Sequence, residues 1–134
     1  MKGIYPVEIR FNDIDLAGHV HNSVYLAYFE QARMGYFNEL IGADWDWRKQ
    51  GLILARNEVD YLAPVYLKDS IMVSVHCDHI GTKSFTLSYT LYSIDSKGDQ
   101  IIHTKGRSIL VCMDYEIEET VNIFPEWKDV LHVL

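Results

Sequence analysis

Residues 11–22 have the sequence FNDIDLAGHVHN. The prediction of the fold is built on these residues and on the stretch that follows them to Leu40. An alternating apolar run over residues 5–11 predicts a strand that ends in two acidic residues and a glycine turn. Asn22 or Ser23 is then predicted to cap a helix, because a short polar side chain accepts a bond from a first-turn amide. A helix start gathers free N–H groups and partial positive charge, so a carbonyl oxygen aimed there is polarised. With a carboxylate just upstream, this arrangement predicts an acyl-transfer site.

The remaining chain predicts one helix and four more strands. Apolar residues recur at intervals of three and four from Ser23, which predicts a helix over about residues 23–41, roughly 27 Å long, that Gly42 ends. Turn sequences at residues 81–83 and 96–99 predict antiparallel hairpins. The predicted strands cover residues 52–62, 70–80, 84–95 and 100–113. The fold class is therefore α+β, with a five-stranded antiparallel sheet wrapped around one long central helix.

Length and composition limit the class of protein. The chain has 134 residues, which suits a single domain over residues 1–134, and its net charge of -7 argues against a nucleic-acid partner. Cys77 and Cys112 have no metal-ligand spacing and are expected to be buried, reduced thiols. No apolar run is long enough to span a membrane, so we expect a soluble, cytoplasmic protein.

Three segments carry a resemblance to a known family. They are the pattern DxxGHVxNxxYxxYxExAR over residues 15–33, the run RNEVDYLAPV at 56–65, which is followed by Asp69, and the terminal strand GRSILVCMD at 106–114. In this order they resemble the hotdog-fold acyl-CoA thioesterases of the 4-hydroxybenzoyl-CoA thioesterase type. The resemblance implies a hotdog fold, an acyl-CoA substrate, and a homodimer or homotetramer with its active site between subunits.

The resemblance also implies roles for individual residues. Asp15 aligns with the catalytic carboxylate, acting as nucleophile or general base, and the backbone N–H near Asn22 polarises the thioester carbonyl. From the residues alone, Asp15 is equally a loop carboxylate, since aspartate before a turn is common. We interpret Asp13 as a structural acceptor for the turn. His19 is expected to orient the loop or line the cleft.

Glu30 is the second candidate base. It lies three residues before Arg33 on the predicted helix, so an ion pair between them is the simpler interpretation. Other hotdog thioesterases use a helix carboxylate, and Glu30 is therefore kept as a backup.

Substrate contacts are predicted at Tyr25, which would line an acyl channel, and at Lys83 and Ser84. The latter two lie in a hairpin turn where they would meet the phosphates or pantetheine of CoA, or else form a solvated turn.

Metal and cofactor sites are not expected. His19 and His21 with Asp13 and Asp15 offer suitable ligand types, but their spacing matches no zinc pattern. A second group, His76, Cys77 and His79, lies within a predicted strand, where alternation sends His76 to the opposite face from the other two.

The sequence therefore predicts a thioesterase that hydrolyses a small or medium acyl-CoA to the free acid and CoA. The alternatives are a non-catalytic hotdog domain that binds acyl thioesters, a thioesterase acting on acyl carrier protein, and, less well supported, a hotdog dehydratase.

Overall fold

The computed structural model describes residues 3–132, which fold into a curled antiparallel sheet around one long helix. The strands are β1 (Ile4–Val7), β2 (Gln50–Tyr61), β3 (Ile71–Ile80), β4 (Ser84–Ile94), β5 (Gln100–Asp114) and β6 (Glu119–Thr120). The helices are α1 (Tyr25–Ile41) and the short α2 (Pro125–Lys128), and single 3-10 turns cover Phe11–Asp13 and Asn22–Val24. The predicted fold class is confirmed, with the two-residue β6 added to the five predicted strands.

The order of the strands across the sheet is β1-β3-β4-β5-β2, and every neighbouring pair is antiparallel. β6 pairs with the end of β5, where Met113 lies opposite Thr120. β2, the first strand after the helix, therefore pairs with the last long strand and leaves its other side at the edge of the sheet. Such an edge presents unpaired backbone N–H and C=O groups.

The helix α1 buries one face against the concave side of the sheet. Phe29 stacks on Tyr89 of β4 with ring centroids 4.6 Å apart, and Gly106 of β5 makes room for it. A Cβ atom at Gly106 would lie 2.5 Å from the Phe29 ring. The buried helix residues are six of those that the periodicity predicted, together with Arg33; they are Tyr25, Tyr28, Phe29, Ala32, Arg33, Tyr36 and Phe37. Leu40, the last residue of the predicted stripe, is only partly buried. The amphipathic stretch is thus the core of the fold.

The start of the chain departs from the predicted strand over residues 5–11. Strand pairing stops at Val7, and Phe11, the last residue of the predicted strand, is 80% exposed. The reason is the 3-10 turn Phe11–Asp13, in which the Arg10 N–H donates to Asp13 Oδ2 over 2.9 Å. A side chain that bonds nearby backbone offers the chain an alternative to the sheet ladder.

A second correction concerns β3. A bulge between Cys77 and His79 leaves Asp78 unpaired, so strict alternation fails there. Cys77 is buried while His79 is exposed, and the two do not share a face as predicted.

Cys77 and Cys112 are both free and buried, as predicted, and burial raises the pKa of each thiol. Neither α1 nor α2 is long and apolar enough to cross a bilayer, and no other helix in residues 3–132 is either.

Candidate active site

The Asp15 carboxylate lies in a tight turn before the helix. The Asp15 N–H donates to His19 O, and the Gly18 N–H donates back to Asp15 O, each over 3.0 Å. Gly18 has a φ of 87°, a left-handed conformation that favours glycine at this position. The Asp15 side chain is 27% exposed, and its Oδ1 accepts a hydrogen bond from the Ala17 N–H over 2.9 Å. The turn therefore holds a carboxylate in a fixed position that solvent and a ligand can reach.

Asp13 has a different environment. Its Oδ2 accepts hydrogen bonds from the Tyr28 hydroxyl over 2.6 Å and from the Arg10 N–H over 2.9 Å. Its backbone carbonyl accepts from the His21 N–H over 2.9 Å. Burial raises the pKa of Tyr28, and its hydrogen bond to Asp13 adds to that shift. Asp13 thus ties the turn to the helix, which agrees with its interpretation as a structural acceptor.

His21 caps the 3-10 turn that leads into α1, whereas α1 itself begins after Val24 with no side-chain cap, so neither Asn22 nor Ser23 caps the helix as predicted. His21 Nδ1 accepts from the Ser23 N–H over 3.1 Å, and the 3-10 turn Asn22–Val24 leads into α1. A ring nitrogen performs here the task that sequence rules assign to short polar side chains. Asn22 is exposed and stands first in this turn. Its N–H is one of the first-turn amides that a helix leaves without an internal partner.

A segment after β2 forms the other wall of the site. The Val20 N–H donates to Val65 O over 2.8 Å, which binds this segment to the Asp15 turn. The Tyr66 ring lies edge-on to His19, with centroids 6.2 Å apart. The Tyr66 N–H donates to Asp69 Oδ2 over 2.8 Å and fixes the start of the next turn.

Tyr61, the last residue of β2, joins the sheet to the helix start. Its hydroxyl donates to Asn22 O over 2.9 Å, and its ring lies edge-on to Tyr25 with centroids 5.2 Å apart. Burial raises the pKa of Tyr25, and the negative charges of Asp15 and Asp69 add to the shift. The structure therefore gathers Asp15, the helix start and two tyrosines at one end of the sheet.

His19 belongs to this group, since its Nδ1 lies 4.0 Å from Asp15 Oδ1. That distance is too long for a hydrogen bond. Its backbone, through the bond to the Asp15 N–H, closes the turn.

Other predicted residues lie elsewhere. Tyr25 is only 3% exposed, so it packs in the core beneath the site. Glu30 has a 69% exposed side chain, 3.7 Å from Arg33, which matches the predicted ion pair. Lys83 and Ser84 lie at the opposite end of the sheet from Tyr61, because Ser84 pairs with Val111 whereas Tyr61 pairs with Thr104.

Sequence reasoning missed Tyr61, Tyr66, Val65 and the capping role of His21. Pro64 was the available signal, because it marks the break after β2 that turns this segment towards the site. Within residues 3–132, no group of three or more His, Cys, Asp or Glu side chains is placed to hold a metal ion.

Comparison with known proteins finds similar chains and similar folds. The uncharacterized protein YsmA of Bacillus subtilis strain 168 is 30% identical over 125 residues, which cover 93% of this chain and 82% of YsmA. A thioesterase from Thermus thermophilus, solved in complex with coenzyme A and Zn, is 31% identical with a TM-score of 0.79, covering 98% of this chain and 94% of that one. A mutant 4-hydroxybenzoyl-CoA thioesterase, solved with 4-hydroxybenzoyl-CoA, shares the fold with a TM-score of 0.87 at 16% identity, covering 96% and 97% of the two chains.

A family model also matches residues 9–131, and its description is the thioesterase-like superfamily. This match includes the Asp15 turn, the long helix and the four strands β2 to β5. The chain therefore belongs to the thioesterase-like superfamily and is a thioester hydrolase with the hotdog fold.

Proposed function

We propose that this protein hydrolyses a small or medium acyl-CoA thioester to the free acid and CoA. The observation that carries the proposal is the partly exposed Asp15 carboxylate, held in a rigid turn just before the exposed helix start at Asn22. A carboxylate next to unpaired amides is the pair of groups that acyl transfer requires, one to deliver the nucleophile and the other to receive negative charge.

In the proposed reaction, the thioester carbonyl oxygen accepts a hydrogen bond from the Asn22 N–H. Asp15 then attacks the carbonyl carbon, the C–S bond breaks to release the CoA thiolate, and water hydrolyses the resulting mixed anhydride. Alternatively, Asp15 takes a proton from a water molecule that attacks directly. Both routes give the same products. An amide that stabilises the oxyanion is worth about 3 to 4 kcal/mol where such donors have been removed.

We assign His19 to the orientation of this turn, since its carbonyl accepts the Asp15 N–H and its ring packs against Tyr66. Glu30 is the weaker candidate for the base, because its carboxylate is largely exposed and pairs with Arg33. Substrate contacts are assigned to the exposed rings of Tyr61 and Tyr66, with Tyr25 as the buried support beneath Tyr61.

We also propose assembly as a homodimer, or as a tetramer built from two dimers, and the edge strand β2 supports it. This strand has a free edge over 12 residues, and Ile53 and Leu54 on it are exposed. An edge of this length is a template for pairing with another chain. Antiparallel pairing of two β2 strands would bring the Tyr61 end of one subunit to the Gln50 end of the other.

This pairing would give Lys83 and Ser84 a role. They lie at the Gln50 end of the sheet, about 10 Å from β2 at the usual strand spacing. In a dimer they would therefore approach the Asp15 site of the partner subunit, where the Lys83 ammonium suits a CoA phosphate. The 31% identical Thermus thermophilus thioesterase was solved with coenzyme A, which supports CoA as the carrier. We place the enzyme in the cytoplasm, where two free cysteines stay reduced.

The test is the release of free thiol from a panel of acyl-CoAs of increasing chain length, with acyl carrier protein thioesters as a second arm. We expect turnover of at least one acyl-CoA, and a loss of about 10²- to 10⁴-fold in Asp15→Asn. Glu30→Gln is the matched control and should retain activity. If Glu30→Gln abolishes turnover while Asp15→Asn does not, the base is misassigned. If no thioester is cleaved although acyl-CoA binds, the protein is a binding domain.

A further inference from the structure

A buried histidine lies behind the site and has no part in the reaction described above. His103 is 4% exposed, although it lies in the longest strand next to Thr104, which is also buried. The pairing of β4 with β5 steps from Leu91 opposite Thr104 to Tyr92 opposite Ile102. His103 is therefore the extra residue of a β-bulge, a feature that commonly re-aims a side chain near a functional site.

Both ring nitrogens of His103 are hydrogen-bonded. Nδ1 lies 3.0 Å from the Pro64 carbonyl oxygen, and Nε2 lies 2.7 Å from Ser93 Oγ. A carbonyl can only accept, so Nδ1 carries the proton, and in the neutral ring Nε2 accepts from the Ser93 hydroxyl. The His103 backbone carbonyl accepts from the N–H groups of Leu62 and Ala63, over 2.9 and 3.0 Å.

These bonds clamp the segment that follows β2, and that segment holds the site. Val65, next to Pro64, accepts from the Val20 N–H over 2.8 Å. Val20 in turn closes the Asp15 turn, because it bridges to Ile14 on the other side of it. A continuous path of bonded groups thus runs from Ser93 through His103 and Pro64 to the Asp15 turn.

We propose that His103 is a positioning residue that sets the Asp15 turn against the helix start, through its Nδ1 bond to the Pro64 carbonyl. Pro64 lacks an N–H and interrupts β2, so this segment cannot be held by a continued ladder with β5. The side chain of the bulge residue supplies the missing attachment. This inference rests on the proposed function, since it treats the Asp15 turn as the reacting part of the site.

Two substitutions separate the bonds of His103. Asparagine places its amide nitrogen near the position of Nδ1, so His103→Asn can still donate to the Pro64 carbonyl but cannot reach Ser93. Glutamine places its amide near Nε2, so His103→Gln keeps the hydrogen bond to Ser93 and loses the one to the Pro64 carbonyl. We expect His103→Gln to lower kcat about 10- to 100-fold, as displacement of reacting groups by about 1 Å does, with a smaller change in KM. His103→Asn should retain most of kcat.

Ser108→Ala is the matched control on the same strand. Its buried hydroxyl donates to Asn57 Oδ1 over 2.6 Å, away from the Pro64 segment, so its loss should lower stability without lowering kcat. Amide hydrogen exchange gives a readout that does not need turnover. His103→Gln should speed exchange of the Val20 amide, while the Cys112 amide, bonded to Lys83 O, should be unchanged.

The proposal is overturned if the two His103 variants lose kcat equally, or if His103→Gln leaves Val20 exchange as it is in the unaltered protein. If the unaltered protein cleaves no thioester, the proposed function fails, and the exchange rates alone decide whether His103 holds the segment.

Discussion

The hydroxyl of Tyr61 offers a sharp test of how the helix start is held. Tyr61→Phe removes one oxygen and leaves the ring, which continues to pack against Tyr25 with the same shape. The lost interaction is the 2.9 Å hydrogen bond to Asn22 O. Since Asn22 supplies the amide that we assign to the oxyanion, the substitution should loosen this donor while leaving the Asp15 carboxylate in place.

The expected effect follows from the strength of one bond. A hydrogen bond between neutral groups contributes about 0.5 to 1.5 kcal/mol, and the value here should not exceed this range because Tyr61 is half exposed. If that energy is lost from the transition state, kcat falls about 2- to 13-fold, at about 1.36 kcal/mol for each factor of ten. KM should change less, since the ring to which we assign the acyl contact is retained.

Steady-state thiol release with the best acyl-CoA of the panel measures both constants. Tyr66→Phe is the control, because it removes the hydroxyl of a tyrosine of similar exposure in the same site, where the ring lies edge-on to His19. The reasoning would be refuted by an unchanged kcat in Tyr61→Phe, or by an equal loss in the two variants.

Three further expectations concern stability, each measurable by urea denaturation. Asp13→Asn should lower the free energy of unfolding by about 1.5 to 3 kcal/mol, because the hydrogen bonds of the carboxylate to Tyr28 and to the backbone weaken. Its kcat should fall far less than that of Asp15→Asn, and an equal loss would contradict the structural role of Asp13. Gly106→Ala should lower the free energy of unfolding by about 1 to 3 kcal/mol, because the added methyl group meets the Phe29 ring. Unchanged stability would show that the ring moves freely. Burial raises the pKa of Tyr36 from 10.0 to about 12, so the folded state favours the protonated tyrosine. The stabilisation of the folded state that results is complete below pH 10 and is lost as the pH rises towards 12. Tyr36→Phe should flatten the fall in stability between these values, and an unchanged slope would rule out this tyrosine as its cause.

Elements that depend on local pattern could be predicted from the amino-acid sequence. The apolar residues spaced by three and four from Tyr25 to Leu40 identified a helix that the structure has at Tyr25–Ile41. The strand-like runs and the turns between them located β3, β4 and β5 to within one residue at either end. Bulges at Asp78 and His103 nevertheless interrupt the alternation expected of a strand with one buried face. The Asp15 turn was also visible, because acidic residues followed by glycine form a local structure. The sequence also predicted that Asp13, and not Asp15, is the structural acceptor of the turn, and this agrees with the hydrogen bonds that Asp13 makes.

Features that depend on contacts between distant residues became visible in the folded chain alone. The pairing of β2 with β5 and the bond from Tyr61 to Asn22 each join residues about 40 or more positions apart. The bulge that turns His103 inward depends on a strand register that one inserted residue shifts. Local periodicity carries no information on such partners, so the contacts that Tyr61 and His103 make could not be predicted from the sequence. The Lys83–Ser84 turn shows the same limit, because its distance from Asp15 is set by strand order across the sheet and not by sequence spacing.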